Sequence, residues 1–148
     1  MLTIEVATNM DEVRTLLLEL RDWIGLDLEF QHFSEELANL PGSYDPILLA
    51  RMDDALVGCV ALRPLDERRC EMKRLFVRGE FRGIHAGRAL VERLVEQAQM
   101  RGFETMRLDT LPSMTGAIDL YRSLGFVEIP PYRFNPVKGA TYMEKDLR

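Results

Sequence analysis

The stretch that decides the fold of this chain is Val77-Arg78-Gly79-Glu80-Phe81-Arg82-Gly83-Ile84-His85-Ala86-Gly87-Arg88. It follows an apolar run, Leu75-Phe76-Val77, and leads into a helix that we expect to begin near Ala86, because apolar residues recur there at helical spacing. A glycine-bearing turn between a strand and a helix can hold a phosphate group. The N–H groups of the first helical turn have no partner within the helix, and the helix dipole favours negative charge at that end.

Charge is distributed unevenly along the chain, which carries a net charge of −5. Residues 1–70 have a net charge of −8 and residues 71–148 one of +3, while the segment from Lys73 to Arg88 alone has +4. A general nucleic-acid-binding protein would spread positive charge along one face. The pattern therefore predicts no nucleic-acid partner and favours a single small polyanionic ligand at the turn.

Length and composition predict one globular domain that spans residues 1–148. The chain is 47% hydrophobic and 29% charged, which is ordinary for a soluble protein with a proper core. Its first residues do not have the pattern of a signal peptide, and no apolar run has the length of a membrane span. The two cysteines, Cys59 and Cys70, sit in apolar strand-like runs without metal-ligand spacing. We therefore expect a cytoplasmic protein with reduced core cysteines, no membrane partner and no metal.

Apolar periodicity predicts the element order β-α-α-β-β-β-α-β-α-β-β. The strand, turn, helix and strand between residues 70 and 111 force one parallel strand pair through a right-handed crossover, whereas the first half favours antiparallel hairpins. The predicted fold class is therefore α/β in the α+β sense, a mixed sheet with helices on both faces.

Two familiar phosphate-binding motifs do not fit the turn. The mononucleotide P-loop requires Lys-Ser/Thr after its last glycine, but Gly87 is followed by Arg88 and Ala89. The dinucleotide fingerprint requires three glycines at set spacing, and the turn offers only Gly83 and Gly87 at its helix end.

The turn instead resembles the signature of the GNAT superfamily of N-acetyltransferases, Gln/Arg-x-x-Gly-x-Gly/Ala, which reads Arg82-Gly83-Ile84-His85-Ala86-Gly87 in this chain. A second family signature, a tyrosine followed by Gly-Phe, reads Tyr121-Arg122-Ser123-Leu124-Gly125-Phe126. The two occur in the family's order, and the resemblance covers nearly the whole chain. It implies a small, bacterial-type, single-domain member, with a GNAT-like fold whose fourth and fifth strands splay apart.

The resemblance implies acetyl-CoA as the acyl donor and no metal. In this family, backbone amides of the turn hold the pyrophosphate of coenzyme A, and the preceding strand pairs with the pantetheine arm. Carried over residue by residue, the implied binding set is Leu75, Phe76, Val77, Arg82, Gly83, Ile84, His85, Ala86, Gly87 and Arg88. His85 departs from the family, because it stands where the first motif glycine is usual. If the backbone there requires positive φ, histidine adopts it at a cost that glycine avoids.

Two residues are candidates for catalysis by the same resemblance. Tyr121 aligns with the family tyrosine that protonates the departing thiolate; the alternative is a core aromatic residue. Glu71 lies eleven residues before Arg82, the spacing of the strand glutamate that deprotonates the amine in some members. The alternatives for Glu71 are a surface glutamate paired with Lys73 or Arg74, and a water chain that takes its place as the base.

The leading functional hypothesis is an N-acetyltransferase that moves an acetyl group from acetyl-CoA to a primary amine of a small molecule or peptide. A non-catalytic acyl-CoA-binding regulatory or sensor domain is the alternative, favoured if His85 disrupts the turn or Tyr121 is buried. A partner-binding domain without a cofactor would leave the motif order unexplained. A sheet edge at the final strand makes a homodimer a further expectation.

The acceptor is expected to lie between the first two helices and the last loop. An excess of acidic residues there would attract a cationic amine such as a polyamine, an aminoglycoside or a lysine side chain, but a solvated acidic helix face is the favoured interpretation for most of these residues. The residues expected to wall this site are Trp23, Asp27, Glu29, Phe30, Glu35, Glu36, Tyr132, Phe134 and Asn135.

Overall fold

The computed structural model describes residues 1–25, 32–112 and 114–148. The predicted element order is confirmed, with a 3₁₀ turn over Gly79–Phe81 between the fourth strand and the third helix. The elements are β1 (Leu2–Val6), α1 (Met10–Ile24), α2 (Phe33–Ala38), β2 (Ile47–Met52), β3 (Ala55–Pro64), β4 (Arg69–Val77), α3 (Ala86–Met100), β5 (Thr105–Thr110), α4 (Thr115–Ser123), β6 (Val127–Ile129) and β7 (Thr141–Asp146).

The strands form one mixed sheet in the order β1-β2-β3-β4-β5-β7-β6. All neighbouring strands are antiparallel except β4 and β5, which are parallel, so the predicted fold class is confirmed. The final strand, β7, is paired on both sides, and the edge of the sheet at that end is β6. The expectation that the final strand offers a free edge for a homodimer is therefore wrong, because β7 lies between β5 and β6.

The predicted splay between β4 and β5 is present. The two strands pair only from Arg69 to Glu71, against residues 105–107, and then separate. A register shift between β3 and β4 accompanies the separation, and Arg74 within β4 has a positive φ of 63°. An irregularity of this kind bends a strand and increases its twist. As a result, β4 has no ladder to β5 beyond Glu71.

Helices cover both faces of the sheet, and each face has its own core. Helix α3 contributes Leu90, Val91 and Leu94 to one core, where they pack with the ring of Phe126 and strand residues such as Leu108. The other core combines α1 and α2 with the opposite face and contains Val13, Leu16, Leu17, Leu20, Phe33, Leu49 and Phe76. The helical spacing of the apolar residues in α1 and α3 places them on single buried faces.

Both cysteines are free and buried, as predicted, one in each core. Burial raises the pKa of the Cys59 and Cys70 thiols to about 12, so both stay protonated at neutral pH. In the part of the chain that the structure describes, no helix combines the length and the apolarity that a membrane span requires.

Gly58 allows the close approach of β3 and β4 at the register shift. A Cβ atom at this position would lie 2.2 Å from the carbonyl oxygen of Phe76. We expect Gly58→Ala to lower the free energy of unfolding by about 1–3 kcal/mol, because the backbone must move to accept the methyl group. Urea denaturation measures this change. Gly79→Ala is the matched control, since a Cβ atom there meets nothing within 4 Å; equal losses in the two variants would contradict the explanation.

Candidate functional site

The N-terminus of α3 is open to an anion. Its first helical hydrogen bond runs from the Ala89 N–H to the His85 carbonyl oxygen at 3.1 Å. The N–H groups of Ala86, Gly87 and Arg88 precede this first helical donor and therefore have no acceptor within the helix. The first turn carries no acidic side chain that would neutralise the helix dipole. These features suit a phosphate group at this end of the helix.

The backbone at His85 requires the conformation that makes glycine usual at this motif position. His85 is the N-cap residue of α3 and has φ 61° and ψ 27°, in the left-handed region, and its side chain makes no capping hydrogen bond. Gly83, two residues earlier, has φ 94°. The strain is confined to one residue and leaves the free N–H groups of the helix in place, so His85 does not disrupt the turn.

The three arginines near the turn have different environments. Arg78 forms a two-point ion pair with Glu19 of α1, with N–O distances of 2.7 and 2.9 Å, and thereby ties the end of β4 to α1. Arg82 lies over the ring of Trp23, 4.5 Å from its centroid. Arg82 and Arg88 line the cleft beside the turn, whereas Arg78 does not. The positive charge available to a ligand therefore comes from two of the three.

A cleft of about 730 Å³ runs from the turn along β4. It contains every predicted cofactor-binding residue except Ile84, which is exposed and does not line it. We call this the cofactor cleft. Its lining consists of Trp23, Leu75, Phe76, Val77, Phe81, Arg82, Gly83, His85, Ala86, Gly87, Arg88, Met114, Gly116, Ala117, Asp119, Leu120 and Ser123.

A smaller cavity of about 70 Å³ lies in the splay between β4 and β5, and we call it the splay cavity. Leu75 and Met114 line both the cofactor cleft and the splay cavity, so the two adjoin. Its full lining is Leu20, Ile24, Met72, Lys73, Arg74, Leu75, Leu108, Asp109, Thr110, Leu111, Met114, Tyr121 and Asn135.

Tyr121 lines the splay cavity from α4. The residue is only 4% exposed, and its ring packs against Phe126 with 5.7 Å between centroids. Its hydroxyl makes no hydrogen bond to the described residues. Burial, and secondarily the negative charge of Asp109, raises the pKa of the phenol, so it remains protonated at neutral pH. Tyr121 thus combines a core ring with a place in the lining of the splay cavity, which Leu75 also lines.

Thr110 also lines the splay cavity, and sequence reasoning missed this polar residue. Within the described ranges, its Oγ1 is the side-chain polar atom that is fully buried and has no hydrogen-bond partner. Such an atom costs free energy until a ligand or water satisfies it. Thr110 lies at the end of β5, where the strand has left β4. A threonine in a short strand carries no sequence signal for this role.

Glu71 is fully buried and engaged on both oxygens. The Arg63 Nε donates to its Oε1 at 2.8 Å, and the Tyr132 hydroxyl donates to its Oε2 at 2.5 Å. Arg133 forms an ion pair with the same Oε2. Glu71 therefore pairs with Arg63 and Arg133 rather than with the expected Lys73 or Arg74, and it does not line the cofactor cleft or the splay cavity.

A third cavity of about 210 Å³, which we call the polar cavity, adjoins the splay cavity. The two share Lys73, Arg74, Asp109 and Asn135. The polar cavity is further lined by His32, Glu36, Arg63, Arg133 and Phe134. Among the described residues that line it, four Lys and Arg side chains outnumber two carboxylates.

The two expected acidic residues that the structure describes, Glu35 and Glu36, contribute little free negative charge to the cavities. Glu36 forms a two-point ion pair with Arg74, at 2.8 and 2.9 Å, in a partly buried setting. Glu35 is exposed on α2 and lines none of the three cavities. The remaining expected wall residues of this group, Asp27, Glu29 and Phe30, lie outside the described residues.

Lys73 sits at the junction of the splay and polar cavities. Only 7% of the residue is exposed. Burial, followed by the positive charge of Arg74, lowers the pKa of its ammonium group to about 8. A fraction of this lysine is therefore neutral in mildly alkaline solution.

Comparison with known proteins agrees with this architecture. The sequence model of the acetyltransferase (GNAT) family matches residues 10–126. An uncharacterised N-acetyltransferase of Schizosaccharomyces pombe is 36% identical over 97% of this chain and 92% of its own length. Among solved structures, an acetyltransferase of the GNAT family from Staphylococcus aureus has a TM-score of 0.83 at 20% identity, covering all of both chains. A GNAT family acetyltransferase from Elizabethkingia anophelis, solved with acetyl-CoA bound, has a TM-score of 0.70 at 21% identity, covering 98% of this chain and 97% of that one.

The conformation of His85 predicts how substitutions there affect stability. We expect His85→Val to lower the free energy of unfolding by about 1–2 kcal/mol, because a β-branched side chain tolerates the left-handed region poorly. His85→Gly should stay within about 0.5 kcal/mol of the wild type, since relief of strain offsets the greater entropy of an unfolded glycine. Urea denaturation compares both with Glu92→Val, an exposed site on the same helix. A loss for His85→Val no larger than the control's would refute the strained backbone.

The lowered pKa of Lys73 predicts a pH-dependent stability difference. Below pH 8 both the folded and unfolded chains bind this proton, and the folded chain bears the full cost of the buried charge. Between pH 8 and 10.5 the unfolded chain binds more protons, so this cost disappears as pH rises. Lys73→Met should therefore be more stable than the wild type at pH 7, by up to roughly 3 kcal/mol.

Urea denaturation of both proteins from pH 7 to 10.5 measures the difference directly. The advantage of Lys73→Met should shrink across that range and nearly vanish at its upper end. Other groups that titrate there, including the buried thiols, are common to both proteins and cancel in the difference. A difference that does not change with pH would contradict the assignment.

Proposed function

Since the chain belongs to the acetyltransferase (GNAT) family, we propose that it moves an acetyl group from acetyl-CoA to a primary amine of a small molecule or peptide, as a single domain over residues 1–148. The observation that carries the proposal is that the cofactor cleft and the splay cavity are continuous with each other. The cofactor cleft contains the turn and runs along β4. It adjoins the splay cavity, which Tyr121 lines, through Leu75 and Met114.

The turn and β4 would hold the donor. The free N–H groups of residues 86–88, together with Arg82 and Arg88, suit the pyrophosphate of coenzyme A. The edge of β4 that faces β5 has no ladder partner beyond Glu71, so the pantetheine arm can pair with it as an added strand. The acetyl-CoA bound to the Elizabethkingia anophelis protein supports this choice of donor.

The proposed reaction is direct transfer. The amine nitrogen attacks the thioester carbonyl carbon, the C–N bond forms, and the C–S bond breaks as the tetrahedral intermediate collapses. Tyr121 would donate its proton to the departing thiolate and regain one from solvent. Burial keeps the phenol protonated, as a general acid must be before transfer, while the raised pKa also makes it a weaker acid toward the thiolate.

The proton lost by the amine requires an acceptor. Glu71 was one candidate, but its two oxygens already accept from Arg63, Arg133 and Tyr132, and it lies outside the splay cavity. We therefore assign this proton to water in the cavity, beside Asp109 and Thr110, and assign Glu71 a positioning role toward its two arginines.

A second function is favoured by one observation. Tyr121 is only 4% exposed. If its role is packing alone, the domain binds acyl-CoA but has no general acid for the departing thiolate. Such a domain would bind acetyl-CoA as a sensor and would not turn over. A thermal shift tests the binding step shared by both functions, since a ligand at 100 times its Kd stabilises by about 2.7 kcal/mol.

Tyr121→Phe separates the two functions. We expect this variant to lower kcat on the order of 100-fold, because the thiolate loses its acid, while acetyl-CoA binding is unchanged. Release of free thiol with a panel of amines measures kcat, and calorimetry measures Kd. Thr15→Val is the control, since it removes a hydroxyl that donates to the Asp11 carbonyl oxygen on α1, outside all three cavities. Wild-type turnover in Tyr121→Phe would exclude the acid role, and acetyl-CoA binding without thiol release would favour the sensor.

A further inference from the structure

The polar cavity points to the class of acceptor. Resting on the proposed acetyl transfer, we propose that the acceptor is an amino acid, an amine that carries its own carboxylate. Arg63 and Arg133 would bind that carboxylate in the polar cavity, while the amine faces the splay cavity.

Glu71 holds two guanidinium groups but neutralises only one of them. Arg63 contacts one carboxylate oxygen, and Arg133 contacts the other. Glu71 itself is fully buried, and the Tyr132 hydroxyl donates at 2.5 Å to the same oxygen that Arg133 contacts. Since the guanidinium charge persists at all physiological pH values, the cluster keeps one positive charge in excess.

The excess charge faces the cavity with unused donors. Arg63 donates to Glu71 through Nε, and Arg133 pairs with it through one terminal nitrogen. Both side chains line the polar cavity, with 31% and 26% of the side-chain surface exposed. No further hydrogen bond joins either guanidinium to the described residues. A guanidinium has five N–H donors in a fixed plane that matches a carboxylate, so each retains donors for a ligand.

The arginine pair is held in place before any ligand binds. The guanidinium of Arg133 lies over the ring of Tyr132, 5.1 Å from its centroid, and Tyr132 packs edge-on against Tyr142. Glu71 holds the Nε of Arg63 and one terminal nitrogen of Arg133. A site whose donors are already ordered loses little conformational entropy when it binds.

The charged residues that the structure describes around the polar cavity leave this excess uncompensated. Arg74 and Glu36 neutralise each other, and Lys73 lies beside Asp109 at the junction with the splay cavity. Burial, followed by the charge of Arg63, lowers the pKa of Arg133, so the two like charges repel each other. One carboxylate would balance one excess charge, whereas a polyamine would add to the repulsion.

The polar and splay cavities together would hold the carboxylate and the amine of one amino acid. Lys73, Arg74, Asp109 and Asn135 line the polar and splay cavities alike, so the two spaces adjoin. A ligand carboxylate at the arginine pair therefore leaves its amine to face the space beside Tyr121. An amine without a carboxylate would leave the excess charge of the arginine pair unbalanced in the polar cavity.

Matched pairs of acceptors test the proposal. Each L-amino acid is assayed beside its carboxamide, with spermidine as a polycation, by acetyl-CoA-dependent thiol release. We expect kcat/KM for the preferred amino acid to exceed that of its carboxamide by on the order of 10- to 100-fold, the worth of a charge-assisted hydrogen bond. Equal rates for acid and amide, or a preference for spermidine, would overturn the proposal.

Arginine variants locate the carboxylate. Arg63→Gln and Arg133→Gln should each raise KM for the amino acid by about 10-fold or more with kcat nearly unchanged, and should leave the carboxamide unaffected. Arg63→Lys should restore part of the loss, because it keeps the charge without the planar fork. Arg107→Gln is the matched control, since Arg107 also lies over Tyr132, at 5.2 Å, but does not line the polar cavity. Unchanged KM in both Gln variants would refute the site.

Binding separates this proposal from the proposed function. Calorimetric titration of the wild type with the same amino acids, in the presence of coenzyme A, does not require turnover. Amino-acid binding that Arg63→Gln abolishes, without any thiol release, would support the carboxylate site while the transferase proposal fails. Thiol release from amines with no measurable difference between amino acids and carboxamides would leave the transferase and remove the amino-acid site.

Discussion

The separation of β4 from β5 is the constraint on which the rest of the site depends. A parallel pair normally continues its ladder, but here it ends after Glu71 because β4 changes register against β3 and turns at Arg74. The close approach of the β3 backbone at Gly58 accommodates that change. The splay cavity and the free edge of β4 follow from this one irregularity, and Tyr121 of α4 lines that cavity.

Around this opening the chain distributes its charges by pairing some and leaving others for ligands. Arg78 is paired with Glu19, and Arg74 with Glu36, so both serve to attach helices to β4. Arg82 and Arg88 face the cofactor cleft, and the arginines around Glu71 face the polar cavity. The cofactor cleft and the polar cavity thus each carry positive charge, and each adjoins the splay cavity. The first is suited to a pyrophosphate and the second to a smaller anion.

The parts of this arrangement that are local in sequence could be predicted, and those that depend on distant contacts could not. The turn and the position of His85 were predictable because strand, glycine and helix are consecutive, and the fold class followed from the periodicity on either side. The environment of Glu71 was not predictable, since its partners Arg63 and Tyr132 lie 8 and 61 residues away. Acidic residues in α2 suggested a negative acceptor site, yet Arg74 neutralises Glu36 from 38 residues away. Counting charges along a sequence does not reveal which of them are paired.

The burial of the two cysteines has a consequence for chemoselectivity. A thiolate near a thioester would exchange with it and capture the acyl group on the protein. Cys59 lies one strand away from the cofactor cleft, opposite Phe76, but its thiol donates to the Arg74 carbonyl oxygen at 3.4 Å within a sealed core. Thiols with a pKa near 12 are almost entirely protonated and do not attack. In the proposed transfer the folded protein would therefore not divert acyl groups to its own sulfur, and a thiol reagent would report the released coenzyme alone.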